Sequence, residues 1–350
     1  MESSPLRILA VGDSYMPSRY FRAAFGGLDG SHAIDYADVG EALAPAEPTP
    51  SEAKLREYLG SPAELIARMD GVEVLAVHGA PVTDAVLDAS PALKLVCCAR
   101  GGPVNVDVEA ASERGLPLVL APGKNAEAVA DLTLAFLVML ARGIPRAQRF
   151  LEGGGRLKDN WDGARFTGRD LRGHALGLVG FGNVGRRVAL RAHAFGMAVL
   201  AYDPFLRGEP EGAERVDTLD ELLARADFVS LHARATRENA HLFDAARFAR
   251  MKPGACFVNT ARESLVDEAA LDAALASGRL GGAALDVVEP GGGPGRHPLL
   301  RHDNVVITPH IGGATGETLA RGAAMVAAEI ARFAAGEPLV NVFAPAGALR

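Results

Sequence analysis

The sequence predicts an α/β fold of two doubly wound parallel-sheet domains, one of which is inserted into the other. Short apolar segments alternate with helical patterns along the 350 residues, which is typical of parallel strands covered by helices. Five predicted strands precede a glycine-rich turn at Gly180–Gly185, and further strand–helix pairs follow it. A last helix ends the pattern. The chain is therefore expected to start one domain, to build a second one and to return to the first.

The first predicted domain contains residues 1–122 and 307–350. Its strands are predicted at Leu6–Val11, Ala33–Tyr36, Val72–Val77, Leu93–Cys98 and Pro117–Leu120. Its helices are predicted at Ser51–Leu59, Pro62–Met69, Asp84–Ala89 and Glu317–Ala335. The proline-rich segment 42–50 predicts a surface loop between two of these elements.

The second predicted domain contains residues 123–306. A long apolar helix at Ala126–Arg142 and a polar, glycine-rich arm at 143–173 precede its sheet. Its strands are predicted at Ala175–Val179, Ala198–Tyr202, Phe228–His232, Cys256–Thr260, Gly282–Asp286 and Val305–Thr308. A helix is predicted at Val184–Phe195, between the first two of these strands.

Composition excludes several classes of protein. Apolar residues make up 49% and charged residues 23% of the chain, as in globular enzymes. The net charge is −7 without a basic block, which argues against nucleic acid or an anionic membrane as a partner. No signal peptide is expected, and the apolar stretch Ala126–Leu140 carries Glu127 and Asp131 and is too short to span a bilayer. Cys97, Cys98 and Cys256 lack metal-ligand spacing, which predicts no metal site and a reducing cytoplasm.

Residues 175–203 are the most informative segment, because a strand, a G-x-G-x-x-G turn, a helix and a second strand follow one another there. The spacing predicts that Gly180 allows the tight turn, Gly182 lets a pyrophosphate approach the backbone, and Gly185 lets helix and strand pack closely. The start of the helix offers unpaired N–H groups to the phosphates, with Asn183 and Val184 as the expected contacts. A glycine turn that serves packing alone is the alternative.

Asp203 lies 18 residues after Gly185, at the tip of the second strand. A carboxylate at this place accepts hydrogen bonds from the ribose hydroxyls and repels a 2′-phosphate. The segment therefore predicts a dinucleotide site that prefers NAD to NADP.

Two later segments place polar residues directly after apolar strands. Arg262 follows the strand that ends near Thr260, and His310 follows the strand that ends near Thr308. Gly312–Gly313 then allows a ligand to approach the backbone closely. Since ligands of open parallel sheets bind beyond the carboxyl ends of the strands, both segments are expected to contribute to a site.

These motifs give the chain a resemblance to a known family. GFGNVG with AYD, NTAR with VDEAAL, ALDV, and HPLL with NVVITPHIGGAT follow one another in this order. The chain resembles the D-isomer-specific 2-hydroxyacid dehydrogenases, which include phosphoglycerate, glycerate and D-lactate dehydrogenases. The similarity is strong from about Asn125 to Thr315 and thinner before Val72. The resemblance implies a Rossmann NAD-binding domain inserted into a flavodoxin-like substrate domain.

The resemblance also implies roles for individual residues. The arginine that binds the substrate carboxylate and keto oxygen falls on Arg262, and a planar guanidinium can hold a carboxylate through two parallel hydrogen bonds. The general acid/base histidine falls on His310, since an imidazole can exchange protons near neutral pH. Asp286 resembles the aspartate that accepts from the nicotinamide carboxamide, with a satisfied core aspartate as the alternative. The cofactor is further expected to contact Thr260, Ala261, Arg262, His310, Gly312 and Gly313.

A glycine-rich loop at Arg100–Val104 follows the strand that ends near Cys98. In the family such a loop presents backbone N–H groups to the substrate carboxylate, although Pro103 has none to offer. The substrate is therefore expected to contact Arg100, Gly101, Gly102, Val104 and Arg262. A plain turn is the alternative. His78, which follows another strand, is a further substrate-binding candidate.

Three positions depart from the family pattern. The family pairs its histidine with a glutamate five residues after the ALDV aspartate, where this chain has Gly291. Glu289 is the nearest acid and is predicted to replace it as the catalytic partner of His310, while a chain without the pair is the alternative. Glu263 stands where glycine is usual and is expected to cap a helix that starts near Val266. Arg234 stands where proline is usual and is expected to be solvated.

The sequence therefore predicts a cytoplasmic, NAD-dependent D-2-hydroxyacid dehydrogenase that acts on a small 2-hydroxy or 2-oxo acid. The family implies a homodimer formed through the nucleotide domain, for which the apolar helix Ala126–Arg142 and its arm are suited. One alternative is an NAD-sensing, corepressor-like binding protein with weak or no dehydrogenase activity. The retention of Arg262 and His310 argues against it. Another class of Rossmann enzyme would not explain NTARES and TPHIGG together.

Overall fold

The structure is a computed structural model that describes residues 5–28, 30–41, 48–156, 163–289 and 297–344. The chain folds into two compact units. Unit 1 consists of Met1–Lys124 and Thr315–Arg350, and unit 2 consists of Asn125–Ala314.

Strands and helices alternate through most of the chain, as the sequence predicts. The strands are β1 (Arg7–Gly12), β2 (Ala33–Asp38), β3 (Val74–Val77), β4 (Leu95–Cys98), β5 (Leu118–Val119), β6 (Ala175–Val179), β7 (Ala198–Tyr202), β8 (Glu214–Arg215), β9 (Phe228–Leu231), β10 (Ala255–Asn259), β11 (Leu280–Leu285) and β12 (Val305–Ile307). The α-helices are α1 (Arg19–Ala24), α2 (Pro62–Ile66), α3 (Asp84–Asp88), α4 (Val108–Glu113), α5 (Ala126–Ala141), α6 (Ile144–Glu152), α7 (Asn183–Ala194), α8 (Leu219–Arg225), α9 (Ala245–Arg250), α10 (Glu268–Ala276) and α11 (Gly316–Ala335).

Unit 1 is built on a five-stranded parallel sheet with the order β2-β1-β3-β4-β5. Successive side chains of a strand point to opposite faces, so the apolar strands supply two cores. Val96 and Cys98 belong to the core on one face, whereas Leu95 and Cys97 belong to the core on the other. The two adjacent cysteines are thus buried on opposite sides of the sheet and are not disulfide-bonded.

Unit 2 is built on a seven-stranded parallel sheet with the order β12-β11-β10-β9-β6-β7-β8. The chain passes from β6 outward to β7 and β8, and then from β9 outward in the other direction. The carboxyl ends of the neighbouring strands β6 and β9 therefore form the switch point at which open parallel sheets bind ligands. The predicted fold class, with two parallel-sheet α/β domains, is confirmed.

The predicted helix at Ser51–Leu59 is wrong. Only a short 3-10 turn at Glu52–Lys54 forms there. Beyond it, the N–H groups of Arg56 and Glu57 donate to the carbonyl of Val104, and that of Leu59 donates to the carbonyl of Gly79. These backbone groups are bound by strand-end loops of unit 1 and are not available for a helix.

The apolar helix α5 is largely a core helix of unit 2. Nine of its residues are buried, and Glu127 and Asp131 on its other face form ion pairs with Arg187 and Arg191 of α7. Its burial weakens the reason for expecting it at a subunit interface. Among the described residues no single helix is long and apolar enough to cross a bilayer; α5 and α6 pass that test only together, and they are bent by 67° at the break between them. Part of the predicted arm, residues 157–162, lies outside the described residues.

Candidate functional site

The glycine turn between β6 and α7 has three different local environments. Gly180 has φ +95°, and a Cβ there would lie 2.8 Å from the backbone of His232. A Cβ on Gly185 would lie 2.4 Å from the Gly180 carbonyl oxygen, so only glycine allows this approach of helix and strand. A Cβ on Gly182, by contrast, would meet nothing within 4 Å. The turn thus has open space directly before α7 begins at Asn183, as a pyrophosphate bound by the first N–H groups of the helix, including that of Val184, requires.

Asp203 connects the tip of β7 to this turn. One of its carboxylate oxygens accepts from the N–H of Phe181 at 2.9 Å, and the other accepts from the N–H of Phe205 at 2.9 Å. A carboxylate oxygen can accept more than one hydrogen bond. Asp203 therefore retains capacity for hydroxyl donors while its orientation is fixed from two sides.

Asn259, the last residue of β10, determines the path of the loop that carries Arg262. The Asn259 side chain is buried; it accepts from the N–H of Ala261 at 2.9 Å and donates to the carbonyl of Arg262 at 2.9 Å. The Arg262 side chain is exposed, and one of its N–H groups donates to the Ala261 carbonyl at 2.6 Å. Asn259 is not among the site residues that the sequence predicts. A polar residue at the end of an otherwise apolar strand was the available signal.

Thr260 in the same loop contacts His232, which follows β9. Its hydroxyl lies 3.4 Å from His232 Nδ1, and His232 Nε2 lies 2.9 Å from the Ser230 hydroxyl. Burial lowers the pKa of His232 to about 3, so this ring is neutral at physiological pH. His232 thus acts as a neutral hydrogen-bonding group beneath the loop.

The loop after β12 is folded around the carboxylate of Asp286, which is 2% exposed. One oxygen of Asp286 accepts from the Thr308 hydroxyl at 2.6 Å and from the N–H of Ile311 at 2.8 Å. The other accepts from the N–H of Gly312 at 2.7 Å. A Cβ on Gly312 would lie 2.7 Å from that oxygen, which explains why glycine is needed there.

His310 lies at the turn of this loop with φ +55°, a left-handed conformation that is uncommon outside glycine. Its N–H donates to the Asp286 carbonyl at 2.9 Å, and its side chain is exposed. The surrounding hydrogen bonds to Asp286 hold this unfavourable backbone, as is frequent at functional sites. Gly313 follows directly, and a Cβ there would lie 3.1 Å from the side-chain amide of Asn125.

The structure does not bring Glu289 to His310. Glu289 is exposed, its N–H donates to the Glu268 carboxylate at 2.7 Å, and no hydrogen bond joins it to His310 within the described ranges. The prediction that Glu289 replaces the family glutamate therefore receives no support from the geometry. Gly291 lies outside the described residues.

The expected cap at Glu263 is also wrong. Glu263 begins a 3-10 turn, and α10 starts later, at Glu268. The cap of α10 is Asp267, whose carboxylate accepts from the N–H of Ala270 at 3.0 Å. Arg234 is exposed, as expected for a solvated side chain.

In unit 1, His78 is paired with an aspartate. Asp13 follows β1, and one of its oxygens accepts from His78 Nδ1 at 2.8 Å and from the N–H of Gly79 at 2.7 Å. The other oxygen accepts from the N–H groups of Tyr15 and Met16. The Tyr15 ring stacks on the His78 ring, with 5.6 Å between their centroids. His78 is one of the site residues that the sequence predicts, whereas Asp13 is not, although only Gly12 separates it from the predicted strand Leu6–Val11.

The charge states of this pair follow from burial and hydrogen bonding. Burial lowers the pKa of His78, and this effect exceeds the opposing effect of Asp13. Burial alone would raise the pKa of Asp13, but His78 and the N–H groups of Met16 and Gly79 lower it below its usual value. An ionised Asp13 thus accepts from the Nδ1–H of a neutral His78, which leaves Nε2 of that ring as the acceptor.

The loop Arg100–Val104 after β4 presents backbone donors. As far as the structure describes the chain, the N–H groups of Gly101, Gly102 and Val104 donate to no backbone or side-chain acceptor. The Arg100 carbonyl accepts from the N–H of Ala121 at 2.8 Å, and its guanidinium forms an ion pair with Glu57. These N–H groups could bind a carboxylate. The described part of the chain contains no group of three or more His, Cys, Asp or Glu side chains that could hold a metal ion.

Comparison with known proteins identifies relatives of the chain. The family model described as D-isomer specific 2-hydroxyacid dehydrogenase, NAD binding domain, matches residues 134–312. A D-3-phosphoglycerate dehydrogenase of Methanocaldococcus jannaschii is 40% identical over 283 residues, which are 80% of this chain and 53% of that protein. A hydroxypyruvate reductase of Thermotoga maritima is 41% identical over 261 residues, 74% of this chain and 83% of that protein.

The crystal structure of the apo form of D-mandelate dehydrogenase from Rhodotorula graminis is 29% identical, with a TM-score of 0.78, and the match covers 97% of this chain and 98% of that one. The chain spans about half the length of the D-3-phosphoglycerate dehydrogenases that it matches. The matched model is that of an NAD-binding domain, which supports a nicotinamide cofactor for this chain.

Proposed function

The chain belongs to the D-isomer specific 2-hydroxyacid dehydrogenase family, and we propose that it is an NAD-dependent D-2-hydroxyacid dehydrogenase. One observation carries this proposal: the loops that hold Arg262 and His310 are connected to each other. The backbone N–H of Asp286 donates to the carbonyl of Asn259 at 2.9 Å. Asn259 binds the Arg262 loop, and Asp286 binds the His310 loop. A guanidinium and an imidazole are thus presented from β10 and β12, the two strands that flank β11, at the edge that carries the glycine turn.

These two side chains suit the chemistry of a 2-oxo acid. Bound nicotinamide dinucleotide supplies the hydride for reduction at C2, or accepts it in oxidation. Arg262 binds the keto oxygen and the C1 carboxylate, and its charge stabilises the negative oxygen that develops. His310 donates a proton to that oxygen in reduction and takes it back in oxidation. Asp286 positions His310 and, in addition, is proposed to accept from the nicotinamide carboxamide.

Unit 1 is proposed to bind the acid itself. The open N–H groups of Gly101, Gly102 and Val104 are donors for the C1 carboxylate, and Arg100 adds positive charge beside them. His78 Nε2 is proposed to accept from a substrate hydroxyl, since Asp13 fixes the tautomer of the ring.

The cofactor is proposed to be NAD and not NADP. Asp203 accepts from the ribose hydroxyls and repels a 2′-phosphate. Thr260, Ala261, Gly312 and Gly313 are proposed to contact the nicotinamide half of the cofactor. This assignment follows from their place after β10 and β12.

The protein is proposed to form a homodimer. It is further proposed to be located in the cytoplasm and to have no nucleic-acid or membrane partner. Exposed Ile144 and Leu151 of α6 are 40% and 48% accessible and favour burial against a second copy. Three buried cysteines without a disulfide are compatible with a reducing compartment. Sedimentation of the wild type and of Leu151→Asp tests the dimer, because a charge at a buried interface should shift the distribution to monomer.

Steady-state oxidation of NADH with a panel of 2-oxo acids, and reduction of NAD with the D- and L-isomers of the 2-hydroxy acids, tests the activity. Turnover of D-isomers with a much smaller rate for L-isomers is the expected result. NADH binding, measured by fluorescence titration without substrate, separates the two functional hypotheses. Tight NADH binding without turnover of any acid would contradict the dehydrogenase and favour an NAD-sensing binding protein.

A further inference from the structure

Lys124, which follows β5, is a buried cation without a protein acceptor. It is 9% exposed, and in the part of the chain that the structure describes it forms no ion pair and donates no hydrogen bond. A buried polar group without a partner costs free energy, and an ammonium group costs more than a neutral one. Among the described residues, Nε of Arg279 is the only side-chain nitrogen or oxygen that is closed off from solvent and has no hydrogen-bond partner. Nζ of Lys124 therefore remains within reach of a ligand.

The packing of α11 holds the Lys124 side chain in place. A Cβ on Gly322 would lie 2.9 Å from Cδ of Lys124, 3.5 Å from its Nζ and 3.2 Å from the Ala99 carbonyl oxygen. The neighbouring Arg321 donates from Nε to the Lys124 carbonyl at 2.8 Å. A glycine in the middle of a long helix thus gives room to the lysine stem. The Lys124 side chain is therefore packed into unit 1 and is not an unconstrained surface side chain.

The groups around Lys124 leave its ammonium group protonated, and no neighbouring anion is free to neutralise that charge. Burial lowers its pKa to about 8, with Arg100 acting in the same direction and Cys98 and Asp13 acting against it. Asp13 cannot serve as its acceptor, since each Asp13 oxygen already accepts two hydrogen bonds. The charge of Arg100 is shared with Glu57. Within the described residues, no protein anion neutralises the Lys124 ammonium group.

The C1 carboxylate of the substrate does not require Lys124, because the proposed function already assigns its oxygens to backbone N–H groups and to Arg262. We propose that Lys124 is a specificity-determining residue that binds a second anionic group of the substrate, a carboxylate or a phosphomonoester. This proposal rests on the proposed function and adds the class of acid: the substrate carries two acidic groups.

Kinetics with matched pairs of acids test this proposal. The wild type is assayed with NADH and phosphohydroxypyruvate, oxaloacetate, 2-oxoglutarate, hydroxypyruvate or pyruvate. We expect kcat/KM to be highest for one of the three acids with a second anionic group. Comparison of phosphohydroxypyruvate with oxaloacetate and 2-oxoglutarate shows whether that group is a phosphate or a carboxylate. In Lys124→Met, kcat/KM for that acid should fall about 10- to 100-fold, as expected for the loss of a charge-assisted hydrogen bond. The kcat/KM values for hydroxypyruvate and pyruvate should change less than about 3-fold, because these acids have no second anionic group and lose no hydrogen bond to Lys124.

Lys94→Met is the matched control. Lys94 is an exposed lysine of the same unit whose ammonium group is paired with Glu73. Its replacement should leave kcat/KM unchanged for every acid. Lys124→Gln keeps the length and polarity of a long side chain without its charge, and it should behave as Lys124→Met does.

A binding measurement makes the test independent of turnover. Inorganic phosphate and malonate are the probes, and the readout is the thermal unfolding temperature at pH 7. At least one probe should raise this temperature in the wild type and in Lys94→Met, but not in Lys124→Met or Lys124→Gln. This arm still reports on Lys124 if the protein turns over no acid, in which case the proposed function fails and the anion site stands.

Two results would overturn the proposal. One is a preference of the wild type for acids with a single anionic group. The other is an equal loss of kcat/KM for all acids in Lys124→Met, which would assign Lys124 to the C1 carboxylate.

Discussion

The carboxylate of Asp286 accepts the backbone N–H of Gly312 at 2.7 Å and thereby closes the loop in which His310 adopts φ +55°. The same carboxylate also accepts from Ile311 and Thr308, so it replaces the backbone partners that this loop lacks. A buried carboxylate with three donors is stable because each donor stabilises its charge. Asp286 is therefore a positioning residue for His310, whatever it contributes to the cofactor.

Asp286→Asn should impair this arrangement. The NH2 group of an asparagine is a donor and would face at least one of the donors that now bind the Asp286 carboxylate. That donor would then have no acceptor. We expect the free energy of unfolding to fall by about 1–3 kcal/mol. The value of kcat should fall together with it, because the imidazole loses its fixed position. Chemical denaturation and steady-state kinetics measure both, with Asp303→Asn, an exposed aspartate of unit 2, as the control. An unchanged kcat would show that the loop does not depend on Asp286.

Asp203→Ala should narrow the preference for NAD. Removal of the carboxylate weakens the binding of NAD, because the hydrogen bonds to its ribose are lost. It also removes the repulsion of the 2′-phosphate of NADP. We expect kcat/KM for NAD to fall about 10-fold or more, while kcat/KM for NADP rises. Asp217→Ala, at an exposed aspartate after β8, should change neither value. Equal use of both cofactors by the wild type would contradict the assigned role of Asp203.

Arg262→Lys should impair catalysis more than cofactor binding. Lysine keeps the charge but loses the planar pair of donors that matches a carboxylate. We expect kcat/KM for the acid to fall about 10²- to 10³-fold with little change in the dissociation constant of NADH. Arg250→Lys, at an exposed arginine that ends α9, is the control. Loss of NADH affinity with normal turnover at saturating NADH would contradict the proposed role.

Glu289→Gln should leave both turnover and its pH profile unchanged. The Glu289 carboxylate is exposed, and no hydrogen bond joins it to His310 in the described ranges. The variant is compared with His310→Asn, which should lose most of its activity because the proton donor is removed. If Glu289→Gln instead lowers kcat and shifts the pH dependence of reduction, Glu289 is the partner that the sequence predicts.

The sequence contains the information for the repeated strands and the glycine turn because their signals are local. Gly180, Gly182 and Gly185 lie within six consecutive residues, and their roles follow from backbone geometry alone. The segment Ser51–Leu59 could not be predicted in the same way, since the carbonyl of Val104 competes for its N–H groups. Here tertiary hydrogen bonds outweigh local helical propensity.

The site shows the same division. Arg262 and His310 have motif signals, but Lys124 has none, because the space for its side chain depends on Gly322 of α11, which is distant in sequence. The pairing of Asp13 with His78 likewise joins the ends of two strands that are distant in sequence. Spacing along the chain also could not decide the role of Glu289, which depends on where its loop turns.

Lys124 should make the stability of the protein depend on pH in the alkaline range. Its pKa in the folded state is about 8, below its ordinary value of 10.5. Below pH 8 both states bind the proton, and the folded state bears the full cost of the buried ammonium group, about 3 kcal/mol. Between pH 8 and 10.5 the unfolded state retains the proton that the folded state has lost, so the free energy of unfolding rises with pH.

Lys124→Met removes this cost at every pH. The variant should therefore be more stable than the wild type at pH 7, and the difference should vanish as the pH rises toward 10.5. Urea denaturation of both proteins at a series of pH values measures the difference. The charged and titratable neighbours are Asp13, His78, Cys98, Arg100 and Arg321. Since Lys124 itself lowers the pKa values of His78 and Cys98, their titration contributes to the measured difference as well. Lys94→Met should follow the wild type throughout. A difference that is independent of pH would mean that Lys124 does not lose its proton in the folded state in this range.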